Sequence, residues 1–456
     1  MARVMPAAAF LSVLLAASRL AAQDQQKFLE EERRREMDER ARLNADLHQP
    51  FLWDAGGWFR GEFVYLEDPP DKSERTLRHY ELRLWAEARI EKRYTLYLRL
   101  QTDYRDFNSG DQFEGDDDDE FRPAYVDQAW AEADWSSDSE EFVVRAGREF
   151  LALGRGLLFN QVAYGLEATY ASGRFGARAF GAHSIVHEDD IDRSFPGNDD
   201  SRRAFAALEL NAMVSAWHRA YLAALLERDL NDEDPEVAVQ DWEYHANYLA
   251  LGARGSVAGD LGYAAEGIFQ FGTSVASGST QEEDIRAFAL FLTLDYRPGG
   301  DLSPYLSLDY MYGSGDSDRN SVTDAALGNA PGTDDEGFLA FGFVQTGFSL
   351  FPRVSNIHIV RLGGSLHPLA SAEAFRFLEL GGYLYLYRKA EEGAPISDPE
   401  SVRDDADVGV EFDLFLRWRI ASDVGLSVNW GYFKPGDAYL EDDGRDFFSA
   451  GLTYSF

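Results

Sequence analysis

The sequence predicts an all-β protein: a transmembrane up-and-down antiparallel β-barrel of about 18 strands, with 16 as the alternative count. Three observations lead there. Apolar and polar residues alternate with period two through most of the chain, in segments of about ten residues, the length a tilted strand needs to cross a bilayer. Aromatic residues reach 14% while mean hydropathy stays at -0.36, as happens when only every second strand residue meets lipid. The connections between segments alternate between short and long. Because a bilayer tolerates no unpaired sheet edge, such strands have to close on themselves.

Residues 1–22 read as a cleaved signal peptide. Arg3 supplies the positive start, Ala7 to Ala17 form an apolar run too short to span a membrane, and Leu20-Ala21-Ala22 offers small residues for cleavage. Residues 23–50, from Gln23 through the mixed-charge run Lys27 to Leu47, form a charged helical or flexible periplasmic leader. A site for a periplasmic export partner is the competing reading of that leader. The barrel occupies residues 51–456.

Within the barrel, Tyr80, Leu82, Leu84, Ala86, Ala88 and Ile90 alternate with Glu81, Arg83, Glu87 and Arg89. After the tight Glu91-Lys92 turn, Tyr94, Leu96, Leu98 and Leu100 alternate with Thr95, Tyr97, Arg99 and Gln101. Val408 to Ile420 and Val424 to Tyr432 repeat the pattern, and Phe448, Ala450, Leu452, Tyr454 and Phe456 carry it to the aromatic end. A soluble β-sandwich also alternates. Full-length Arg and Glu side chains in mid-strand favour a wet lumen, and Tyr94, Trp418, Trp430 and Tyr432 fit interfacial girdles.

Short connections at Glu91-Lys92, Ser136 to Glu140, Ser172-Gly173, Pro298 to Asp301 and Ala421 to Asp423 belong to the periplasmic end. Long ones at Asp106 to Arg122, Ser184 to Ser201, Asp229 to Asp241, Gly313 to Gly337 and Lys389 to Ala406 face outward. A first count gives about nineteen strands, yet a single-chain bacterial barrel has an even number. Making Gly313 to Val354 one long outer loop, so that Phe338 to Leu350 is not a barrel strand, restores 18.

A net charge of -37 argues against nucleic acid as a partner. The absence of cysteine excludes disulfides and Cys-based metal sites. No H-x-x-H, H-E-x-x-H, G-x-S-x-G or phosphate-binding glycine motif is present, so the chain is expected to be no enzyme and to carry no cofactor. The acidic run Asp116 to Glu120 is expected to be solvated and bridged to lipopolysaccharide rather than to form a dedicated metal site.

The arginines hold the functional question. Arg83, Arg99, Arg105, Arg145, Arg178, Arg361, Arg417 and Arg419 fall mostly on the polar face of their segments, where they could present fixed positive charge to anions. Glu81, Glu87, Asp103, Glu167, Glu266, Asp295, Asp309, Glu379, Glu411 and Asp413 share that face. A lumen braced by neutralising Arg–carboxylate pairs is therefore an equal alternative.

Val143-Val144-Arg145-Ala146-Gly147-Arg148-Glu149-Phe150, followed by Leu153-Gly154-Arg155-Gly156, resembles the alginate export outer-membrane porin family, with Glu149 where Gln is usual. Phe351-Pro352, Asn356 to Gly363, Gly409-Val410-Glu411-Phe412-Asp413 and Gly431 to Gly436 are similar to further elements of that family. The resemblance implies an 18-stranded barrel and passive export of an anionic exopolysaccharide past lumenal arginines, with Arg145 and Arg148 placed by motif. The expected partners are an anionic polysaccharide or small solutes, outer-membrane lipid and lipopolysaccharide, and the barrel assembly machinery, with the protein a monomer. A general or small-substrate outer-membrane porin and a non-conducting structural or enzymatic barrel remain the other readings.

Overall fold

The computed structural model describes residues 51–68, 73–107, 120–185, 191, 202–230, 243–276, 279, 281–325 and 328–456. The signal peptide, the charged leader and the run Asp116 to Asp119 lie outside the described residues. Eighteen strands make one sheet. The first nine are β1 (Phe51–Asp68), β2 (Ser73–Ile90), β3 (Tyr94–Phe107), β4 (Glu120–Asp134), β5 (Glu140–Leu153), β6 (Phe159–Ser172), β7 (Phe175–His183), β8 (Arg203–Met213) and β9 (His218–Asp229). The rest are β10 (Glu243–Ala258), β11 (Leu261–Val275), β12 (Glu283–Tyr296), β13 (Tyr305–Gly313), β14 (Ile357–Leu366), β15 (Leu378–Lys389), β16 (Asp407–Arg419), β17 (Val424–Pro435) and β18 (Arg445–Ser455).

Each strand pairs antiparallel with the next, and β18 returns to β1, with Trp58 opposite Ser455 and Glu67 opposite Asp446. Gly57 and Phe456 complete the seam by exchanging both backbone hydrogen bonds at 2.9 Å. Closure satisfies the backbone groups that lipid cannot. Phe51 lies opposite Ile90, so the start of β1 sits at the end of the barrel that carries the short Glu91-Lys92 turn, the periplasmic end.

The alternation turns apolar side chains to the lipid. On β18, Leu452, Tyr454 and Phe456 are exposed while Ser449, Thr453 and Ser455 are buried inward. Phe59, Tyr80 and Tyr104 lie near-parallel along the outer surface at centroid spacings of 6.4 Å, one level of the aromatic girdle. Phe338 to Leu350 contributes no barrel strand, as the even count demands.

Two segments depart from a simple wall. The β4–β5 ladder runs only from Asp134–Val143 to Ala129–Arg148, and the β6–β7 ladder tops out at Tyr164–His183. Between those levels residues 149–163 pair with no neighbouring wall strand but with each other, up to Leu153–Phe159, and fold into the barrel. The second is the long connection after β13. The sequence reading sends residues 313–354 outward, and the structure corrects this: residues 314–356 leave from the outer rim and fold back into the lumen. The physical reason is apolar content. Phe338, Leu339, Phe341, Phe348, Leu350 and Phe351 are buried, and each large apolar side chain so covered contributes about 1.5–3 kcal/mol that an outward loop would forgo.

Candidate functional site: a braced and constricted lumen

The hairpin tip and the inward loop meet inside the barrel. Phe341 and Gly342 donate backbone N–H groups to the carbonyls of Leu158 (3.3 Å) and Leu157 (3.0 Å), and Phe159 bridges Phe341 in parallel. Around this contact Leu153, Phe159, Phe205, Tyr248, Phe338 and Phe341 belong to one buried apolar cluster that extends from Leu151 on β5 to Phe433 on β17. Between the two segments remains a cavity of about 30 Å³ beside Leu157, Phe338 and Phe351, room for a water or two and not for a ligand. Charged side chains line the inner wall all round the barrel, including Arg99 on β3, Glu167 on β6, Glu227 on β9, Asp309 on β13 and Glu411 on β16.

The residues that hold this constriction are the motif residues of the sequence. Gly147, at φ +143, marks the point where β5 leaves the wall; a Cβ there would sit 2.2 Å from the Ala129 carbonyl oxygen, so only glycine fits. At the tip, Gly154 and Gly156 take φ of +61 and +93, and between them Arg155 crosses to the opposite wall. Its guanidinium donates to the carbonyl of Phe291 (3.1 Å) and to the Thr293 hydroxyl (2.6 Å), and it lies 3.7 Å over the Phe291 ring. Burial pulls its pKa down, against the opposing pull of Glu266 and Asp309. Its backbone N–H meets Glu266 at 2.9 Å.

The inward loop is held from the other side by Glu411 and Asp413. Glu411 Oε1 accepts the N–H groups of Phe348 and Ser349 at 2.6 Å, and Oε2 accepts that of Leu350 at 2.9 Å. The Tyr387 hydroxyl adds a 3.1 Å bond to Glu411, and Phe348 N–H also reaches Asp413 at 3.1 Å. Gly431 lets the loop come this close: a Cβ there would lie 2.9 Å from that of Phe348. Asn356, at φ +51, ends the loop by donating to the carbonyls of Glu391, Ala394 and Pro395 and accepting from Glu391 N–H. Within the loop, Arg319 and Asp335 form a fully buried ion pair. Burial pushes the Asp335 carboxyl up, opposed by Arg319.

Of the candidate arginines, six are matched by carboxylates on the inner wall. Arg83 meets Glu81 at 2.9 Å; Arg99 meets Asp127; Arg105 meets Glu120 at 3.3 Å and Asp103 at 3.9 Å. Arg145 pairs with Glu132 and lies 4.4 Å over Trp130, Arg178 pairs with Glu167, and Arg361 grips Asp309 at 2.8 Å beneath Tyr383. Arg417 differs. It rests 4.8 Å over the Phe415 ring, and no carboxylate among the described residues lies within ion-pair distance of it. Arg419 lies 4.0 Å over Phe377.

Arg148 is a correction. The motif groups it with Arg145, but three residues along a strand reverses the face. Its side chain lies 5.7 Å over Tyr164, a ring more than half exposed on the lipid side, and its Nε donates to the Asp127 carbonyl at 2.9 Å where β4 and β5 part. It seals the branch point rather than lining the lumen. Sequence reasoning also passed over Arg60, Arg203 and Arg445, which pair inside with Glu62, Glu227 and Asp398. Strand parity was the signal available for each.

A closed 18-stranded barrel with an inward constriction and a charged inner wall defines an outer-membrane channel, not an enzyme. The chain belongs to the alginate export family, whose pattern it matches over residues 70–451. No curated protein sequence matches it. Among solved structures it is similar in fold to OccK11 (OpdR) of Pseudomonas aeruginosa, at 16% identity and a TM-score of 0.54 over 90% of this chain and 97% of that one. OccAB1 of Acinetobacter baumannii is similar at 11% identity and a TM-score of 0.55, over 89% and 96%. OpdK of Pseudomonas aeruginosa, solved with vanillate, is similar at 12% identity and a TM-score of 0.53, over 88% and 98%.

Proposed function

We propose that this channel passively exports an anionic, alginate-like exopolysaccharide. The observation that carries the reading is Arg417: a cation laid over an aromatic face on the inner wall and held in no ion pair among the described residues, although Glu379 stands opposite it in the β15–β16 ladder. Arg145 and Arg361 add partly exposed guanidinium edges, kept flat by Trp130 and Tyr383. A uronate carboxylate passing them replaces weak contacts with equivalent ones, so the chain is held at many sites and trapped at none. Mixed charge lowers the depth of each site, which favours transit over storage.

The test is current through the purified barrel in a planar bilayer with an oligouronate in one compartment. Reversible block by the uronate, absent with a neutral malto-oligosaccharide of equal length, supports the reading. Equal block by both, or none, overturns it. A second reading is a porin for small carboxylates. The fold likeness to OpdK, solved with vanillate, supports it, because a small carboxylate would meet the same arginines. Saturable flux of small aromatic acids without uronate block would select that reading.

A further inference from the structure

The inner wall of β9 and β10 carries an arrangement that the bracing scheme does not explain. Arg219 and Arg254 are directly opposite one another in the β9–β10 ladder. Both face inward: Tyr221, two residues from Arg219, turns its hydroxyl onto the buried Glu266, and Gly252, two residues from Arg254, lies against the Tyr221 ring. Like charges in directly opposed positions repel across a ladder and are ordinarily separated or neutralised. Here neither guanidinium has a carboxylate within ion-pair distance among the described residues, and Arg219 is exposed.

The carboxylates nearby are already engaged. Glu266 accepts from the Tyr221 hydroxyl and from Arg155 N–H, Glu209 accepts from Gly154 N–H at 3.2 Å, and Asp295 pairs with Arg297 at 3.0 Å. A third guanidinium approaches the same patch. Arg155, carried across the lumen by the hairpin tip, reaches the carbonyl of Ala264, the residue directly opposite Arg254 on β11. The inward neighbours of Arg254 are small, Gly252, Ser256, Ala264 and Gly262; the Tyr221 ring lies over Gly252 and the Asp295 carboxylate over Gly262, and Arg254 itself stays exposed. Arg219 is one residue from the start of β9, placing the pair at the periplasmic mouth.

We infer that Arg219 and Arg254 form an entry site for a carboxylate group on a saccharide arriving from the periplasm. Two guanidinium forks facing one space can grip a carboxylate by charge-assisted hydrogen bonds, which also relieves their mutual repulsion. The inference deepens the export reading and rests on it for the identity of the ligand, while the anion site itself stands on the geometry alone.

The experiment uses the full barrel and the double substitution Arg219→Gln with Arg254→Gln, with folding checked by heat-modifiable migration. Two quantities are read: the anion-to-cation permeability ratio in a salt gradient, and the dissociation constant for oligouronate block from each side. The expected result is a fall in anion preference together with a periplasmic-side block weakened about tenfold to a hundredfold, the loss of one or two charge-assisted contacts. Block from the outer side should change little. An unchanged permeability ratio and unchanged periplasmic block would overturn the site and leave the export reading standing. If the native barrel shows no uronate block while the double variant still loses anion preference, the anion site survives and the cargo assignment falls.

Discussion

Glu411 on the inner wall of β16 accepts the backbone N–H of Ser349 at 2.6 Å, and through this and its bonds to Phe348 and Leu350 one carboxylate fixes the innermost turn of the inward loop. Backbone donors inside a lumen need acceptors as surely as those in a helix end do. Glu411 supplies them where no strand is available.

Replacing Glu411 with Gln should therefore open the channel. The amide keeps one accepting oxygen but turns an NH2 donor toward the remaining N–H, either that of Leu350 or those of Phe348 and Ser349, and the loss of a buried charged acceptor costs on the order of 3 kcal/mol. Single-channel conductance should rise and become noisier as the loop leaves its seat, with the barrel still resistant to SDS at room temperature. Unchanged conductance would mean that apolar contacts alone hold the loop.

Arg155→Ala removes the bonds that tie the hairpin tip to β12 and exposes the Phe291 face. The expected outcome is a partial version of the same phenotype, larger conductance with the loop still seated by Glu411. Combining the two substitutions should exceed the sum of the single effects, because tip and loop brace each other through Phe341 and Leu158.

Gly147→Val tests the branch point. A Cβ overlapping the Ala129 carbonyl, at a φ that β-branched residues avoid, should cost several kcal/mol and lower the folded fraction on a heat-modifiability gel. Gly173→Ala, in an open turn with no atom near the added carbon, should be far milder despite its positive φ.

Asn356→Ala removes four hydrogen bonds that fasten the loop after β15 to the end of the inward loop. At φ +51 alanine adds backbone strain that asparagine tolerates. Limited proteolysis from the outer side should begin to cut near residues 390–395, and Asn356→Gly should recover the strain but not the protection.

Much of the barrel was legible in the sequence because the dyad pattern is a direct image of wall geometry. Tyr80 to Ile90 and Val410 to Ile420 could be assigned residue by residue, whereas the bulge at Gly409 turns Val408 from the expected outer face into the buried inner cluster; parity also named the carboxylates that brace Arg83, Arg105, Arg178 and Arg361. Parity also contradicted the motif at Arg148, and parity was right. What the pattern could not carry was the path of segments that leave the wall. Residues 149–163 keep strand alternation while pairing with neither neighbour, so nothing local separates them from wall strands. The inward course of residues 314–356 was visible only as phenylalanines in a stretch otherwise read as a loop. Motif matching found Glu411, Gly431 and Asn356, yet their work is to hold the constriction, a role that needs three-dimensional contacts to recognise.

The most direct test of the channel reading is the current through the native barrel with an oligouronate on the periplasmic side. Reversible, voltage-dependent block by the uronate is expected, absent with a neutral malto-oligosaccharide and weakened by Arg417→Gln. Cation-selective current unaffected by uronate would contradict it.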